Sequence, residues 1–79
     1  MKTIYKYIFF TLEAENPKTK VWAVRNKGSQ DKLGIIQWYG PWRQYCYFPC
    51  VQAVYSIGCL RDIIDFIESI SKKEQPEGG

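Results

Sequence analysis

Hydrophobic and polar positions follow two rhythms along the chain, a period of two over roughly the first fifty residues and a helical period beyond them. The stretch that organises the rest runs from Leu33 to Cys50, LGIIQWYGPWRQYCYFPC, where two β-prone runs flank Tyr39-Gly40-Pro41-Trp42. Glycine and proline between such runs predict a hairpin. With Gly40 and Pro41 at its tip, Trp38 falls opposite Arg43, Ile36 opposite Tyr45 and Ile35 opposite Cys46. Strand side chains alternate, so Ile36, Trp38, Arg43, Tyr45 and Tyr47 share one face. Leu33, Ile35, Gln37, Gln44, Cys46 and Phe48 share the other. The first face has the greater apolar mass and is assigned to the core, which leaves the second to meet solvent or a partner.

The remaining elements follow from the same rules. Lys2 to Leu12 is apolar on both faces, with Ile4, Ile8, Phe10 and Leu12 set against Tyr5, Tyr7 and Phe9. That pattern predicts a strand central in the sheet or lying in an interface. Asn16-Pro17 marks a loop, and Lys20 to Asn26 is a second strand with Trp22 and Val24 on one face and Val21, Ala23 and Arg25 on the other. Lys27 to Lys32 is a polar turn, and Pro49 ends the last strand because it cannot donate to a ladder. From Ser56, a plausible N-cap, Leu60, Ile63, Ile64, Ile67 and Ile70 recur at helical spacing, with Arg61, Asp62, Asp65, Glu68 and Ser69 turned away. The helix is expected to end near Lys72. The predicted fold is α+β: a four-stranded antiparallel β-sheet followed by one C-terminal amphipathic helix packed on one face (ββββα). Residues 1–72 form a single domain, and 73–79, polar and holding Pro76 and two glycines, a disordered tail.

Composition sharpens this picture in three places. The chain has 79 residues, 16% of them aromatic, and so small a sheet rarely covers that much ring surface alone. Self-association into a homo-oligomer is therefore expected, through Tyr5, Tyr7, Phe9 or the Ile35/Phe48 face. The net charge of +3 permits an anionic partner without demanding one. Three cysteines and no histidine fall short of a structural zinc site and leave an odd thiol, which suits a reducing compartment. The run from Tyr5 to Leu12 is too short for a membrane span. A cytoplasmic protein without metal, cofactor or membrane partner is the expectation.

Catalytic chemistry is poorly supplied. Without histidine there is no Ser–His or Cys–His pair, and no Gly-x-x-x-x-Gly-Lys loop is present. Asp62 and Asp65 read as solvated helix charges. The positive signal is the aromatic cluster around Arg43. Trp38, Tyr39, Trp42, Arg43 and Tyr45, with Arg25 as a second guanidinium, are the candidate ligand-binding residues. An Arg beside exposed rings suits a flat anion such as a nucleotide, since rings stack on bases and a guanidinium grips phosphate bidentately. Trp38 and Tyr45 also fit a purely structural role as cross-strand partners.

The string LGIIQWYGPWRQYCYFP, followed by the Cys59-Leu60-x-Asp62-Ile63-x-x-Phe66-Ile67 helix, resembles short uncharacterised proteins encoded by bacteriophages and prophages. The resemblance covers about Lys20 to Ile70 and implies a host-takeover or counter-defence setting. Small non-enzymatic proteins in that setting block a host partner or sequester a nucleotide signal. More loosely, strands followed by an amphipathic helix are similar to the sheet-type DNA-binding domains of phage integrases and plant transcription factors, which lay the sheet face in the major groove. This chain departs from them in carrying few basic strand residues, chiefly Arg25 and Arg43. The expected function is a non-enzymatic, phage-type binding protein that sequesters a small nucleotide-like anion in the host bacterial cytoplasm. The alternatives are a nucleic-acid-binding sheet and an inhibitor that docks on a host defence protein.

Overall fold

The computed structural model describes residues 2–74. It contains β1 (Ile8–Glu15), β2 (Lys20–Asn26), β3 (Lys32–Tyr39), β4 (Gln44–Pro49) and α1 (Ile57–Glu74). The strands form one antiparallel sheet in chain order, β1-β2-β3-β4, and α1 lies over one face, so the fold is the expected ββββα arrangement. The helix runs two residues past Lys72, into the stretch expected to be a tail. Residues 75–79 lie outside the described residues.

The core is built by register. Phe10 pairs with Val24, and Trp22 pairs with Ile36, which lines up apolar side chains across three strands on the face that α1 covers. Ile8, Phe10, Trp22, Val24, Ile36 and Tyr45 are buried there, against Ile63, Phe66 and Ile70 of the helix. Phe66 is the central plug. Its ring stacks on Phe10 at a centroid distance of 3.9 Å and 4°, and meets Trp22 edge-on at 5.1 Å and 80°. Burying one such side chain contributes about 1.5–3 kcal/mol. The Trp22 indole N–H has no acceptor among the described residues, an omission that costs about 1–3 kcal/mol. Ser56 caps the helix as expected: its Oγ accepts the Cys59 N–H at 3.2 Å, and its carbonyl accepts the Leu60 N–H at 3.0 Å.

Four local expectations are corrected. The first strand does not run from Lys2 and is not central: β1 begins at Ile8 and is an edge strand. The residues before it fold back, pairing Ile4 with Phe9, and the Tyr5 N–H donates to the Ile8 carbonyl at 2.9 Å. The reversal places Tyr5 in the core, where its hydroxyl donates to Asp65 at 2.7 Å, so Tyr5 belongs to the interior and not to an interface. In the hairpin, Trp38 pairs with Tyr45, Ile36 with Tyr47 and Gln37 with Cys46. The register is thus two residues further along β4 than expected, and Arg43 sits in the turn, not opposite Trp38. A shift of two preserves the faces. Leu33, assigned by alternation to the second face, packs against the core. It lies at a β-bulge, where β2 skips from Gly34 to Lys32, and a bulge re-aims a side chain.

The fourth correction concerns the helix. Its inner row is Cys59, Ile63, Phe66 and Ile70, whereas Leu60 and Ile64 of the expected stripe are 46% and 56% exposed. Apolar side chains occupy about half the helix circumference, and the sheet face covers only the sector centred on Phe66 and Ile63.

Because Phe66 touches two strands at once, Phe66→Ala is expected to cost about 3–5 kcal/mol and Phe66→Leu about 1–2 kcal/mol. Val54→Ala in the exposed linker should cost no more than about 0.5 kcal/mol. Urea unfolding of the three variants measures this, and equal midpoints for Phe66→Ala and Val54→Ala would contradict the docking of α1.

Candidate functional site

The β3–β4 turn decides where the chemistry-bearing rings go. Gly40–Trp42 form a single 310 turn with Pro41 in its first positions, where a missing N–H is harmless. Arg43 closes it in a left-handed conformation, φ 54° and ψ 48°, and its N–H donates to the carbonyls of Tyr39 at 2.9 Å and Gly40 at 3.1 Å. For a residue with a Cβ that conformation costs roughly 1–2 kcal/mol, offset here by two backbone acceptors. The turn throws the Trp42 indole outward, 66% exposed. Trp42 meets Tyr39 edge-on at 5.1 Å and 87°, and Tyr39 meets Phe48 at 6.0 Å and 67°. With Cys46 and Tyr47 they line an open cleft of about 270 Å³. Tyr39, Cys46 and Phe48 point away from the core, so the cleft lies on the face that α1 leaves bare.

The antiparallel order brings the β1–β2 loop to the same end of the sheet. Glu15, Asn16, Pro17, Lys18, Thr19 and Lys20 line a second hollow there, of about 220 Å³. The Lys20 N–H donates to the Tyr45 hydroxyl at 3.3 Å, which ties the start of β2 to β4 across β3. Lys18, Lys20 and Arg43 give this end of the molecule its positive charge.

The six sequence-predicted binding residues are not one cluster. Tyr39, Trp42 and Arg43 are together at the turn. Trp38 and Tyr45 lie on the opposite, helix-covered face, where their rings meet edge-on at 5.4 Å and 84° and Tyr45 is buried. Arg25 sits at the far end of the sheet, paired with Phe9 and, on β3, with Lys32. Its Nη1 donates to the Gln30 carbonyl at 3.3 Å. Phe48 and Cys46 were missing from the set. Their signal was visible in the alternation that puts both on the Tyr39 face, and only the register was needed to bring Phe48 beside Tyr39.

A tyrosine pair anchors the floor beneath. The Tyr55 hydroxyl donates to the Leu33 carbonyl at 2.8 Å, so in the Tyr47–Tyr55 hydrogen bond Tyr47 is the donor. Gly34 makes room: a Cβ there would meet the Phe48 carbonyl oxygen at 2.6 Å and the Tyr47 hydroxyl at 2.7 Å. Burial first, and then the bond to Tyr55, push the Tyr47 hydroxyl well above its ordinary pKa.

Chemically, the cleft offers ring faces and one thiol, with Arg43 next in the chain to Trp42, and no carboxylate or imidazole among its lining residues. No group of three metal-ligating side chains is gathered among the described residues. No described helix is long and apolar enough to cross a membrane. Comparison with protein-family models, with curated proteins and with solved structures finds no match.

The tyrosines give a pH test. Tyr47, and Tyr5 through burial and its bond to Asp65, hold their protons more tightly folded than unfolded. Stability from this source is complete below the ordinary tyrosine pKa of about 10 and is lost as pH rises above it, where the unfolded chain releases protons first. The urea midpoint should fall steadily above about pH 10, and the Tyr5→Phe/Tyr47→Phe variant should show a shallower fall. Parallel profiles for the two proteins would contradict the assignment.

Proposed function

We propose that the chain is a non-enzymatic binding protein of phage type that captures a small, flat, nucleotide-like anion in the bacterial cytoplasm, acting as a homo-oligomer. The observation that carries this reading is the largely exposed Trp42 indole, held edge-on against Tyr39 at the mouth of an aromatic cleft and followed directly by Arg43. A base stacks on such a platform for about 1–3 kcal/mol, whatever its identity. Arg43 then grips phosphate from the turn, and Lys18 and Lys20 raise the positive potential at that end. Tyr39, Trp42, Phe48 and Arg43 are the residues assigned to this role, while Trp38 and Tyr45 shape the sheet beneath. A second reading, a sheet-type nucleic-acid module or a docking inhibitor of a host protein, is favoured by one feature: the bare face carries Ile35 and Phe48 side by side. Arg25 and its cross-strand partner Lys32 are the strand cations on that face, and both are engaged, Arg25 with the Gln30 carbonyl and Lys32 with Glu13 at 2.6 Å, which suits a protein partner better than a duplex.

Calorimetry against cyclic dinucleotides, ADP-ribose derivatives and a short DNA duplex tests the choice. Stoichiometric uptake of one small nucleotide without turnover supports capture. Trp42→Ala should then weaken binding about ten- to a hundredfold. Arg43→Gly should do the same through the lost charge-assisted contact, yet leave the melting temperature nearly unchanged, because glycine relieves the left-handed strain. Duplex binding that weakens steeply with salt would transfer the case to nucleic acid. Absence of any binding would end the nucleotide reading.

A further inference from the structure

We infer that two copies of the chain pair antiparallel through the outer row of α1, Ile57 at the ends of the contact and Leu60 and Ile64 at its seam, about a twofold axis near Ile64. The inference rests on the self-association in the preceding reading and not on ligand capture, since the cleft and α1 lie on opposite faces of the sheet.

The three side chains are 68%, 46% and 56% exposed, and their spacing of three and then four residues makes one straight ridge along the helix. Half-buried Ile67 joins this ridge to the inner row. The other flank of α1 is occupied: Tyr5 bonds Asp65, and the Tyr7 ring lies over Gly58. The ridge therefore faces outward and toward the β4 side, where no described segment crosses it.

Charge placement selects the occupant. Arg61 and Glu68 flank the ridge on one side, both exposed, and are spaced symmetrically about the level of Ile64. In an antiparallel pair centred there, Arg61 of each copy faces Glu68 of the other, twice over, while Leu60 meets the level of Ile67. A parallel twofold pair would put the two copies' Arg61 and Glu68 on opposite edges of the seam and leave these charges without each other as partners. A self-complementary pattern of this kind is what an isologous dimer requires. The ridge is short, so a modest, micromolar affinity is expected from its small area.

Sedimentation equilibrium of the full chain over the low to high micromolar range tests this, with circular dichroism confirming that each variant stays folded. The wild type should show a monomer–dimer equilibrium. Ile64→Glu, at an exposed position, should weaken it by more than about a hundredfold. Arg61→Glu should weaken it about tenfold, and Arg61→Glu/Glu68→Arg should restore it. A wild type that stays monomeric throughout would overturn the inference. So would a dimer indifferent to Ile64→Glu, or one lost in Phe48→Glu alone, which would place the contact on the bare sheet face.

Discussion

Everything in this molecule depends on one ring, Phe66, wedged between Phe10 on the edge strand and Trp22 beside it. The helix has apolar side chains around half its circumference and the sheet has apolar side chains on both faces, so burial alone does not decide how they meet. The Phe66 stack does. It commits α1 to the Ile36/Tyr45 face and turns Cys59, Ile63 and Ile70 inward. Two surfaces are left over as a consequence: the Leu60/Ile64 ridge of the helix, and the Ile35/Phe48/Tyr39 face of the sheet.

The candidate site is then a by-product of the turn chemistry acting on the bare face. A four-residue turn, closed by a left-handed Arg43, pushes Trp42 out of the ladder and sets it against Tyr39. Had Arg43 continued the strand opposite Trp38, its charge would have pointed into the helix-covered face, where burial of a guanidinium is costly. Placing it in the turn keeps Arg43 exposed, next in the chain to the exposed ring. Fold and candidate site are therefore linked through a single backbone conformation.

Much of this was legible from side-chain alternation. The strand order, the core face of the hairpin, the Ser56 cap and the helix all follow from periodicity, and the faces survived a register error because the error was two residues. Other features carry no local signal. Arginine does not advertise a left-handed conformation as glycine or asparagine does, so the pattern alone puts the turn one residue early. The fold-back before Ile8 depends on Tyr5 finding Asp65 sixty residues later, which no local pattern reports. Leu33 escaped through a bulge. The exposed Leu60 and Ile64 looked like core because a helical apolar arc does not say how much of it a partner will cover. For the site, the residue types were visible, while the division of Trp38 and Tyr45 from Tyr39 and Trp42 by the thickness of the sheet required the ladder.

The most direct test of this account is which face of the sheet the helix covers in solution. Proton–proton Overhauser contacts on isotopically labelled protein answer it. Contacts from the Phe66 ring to Phe10 and Trp22, with Phe10 ring signals shifted by stacking, are the predicted result. Contacts from α1 to Phe48 or Ile35, with none to Phe10, would place the helix on the other face and contradict the account.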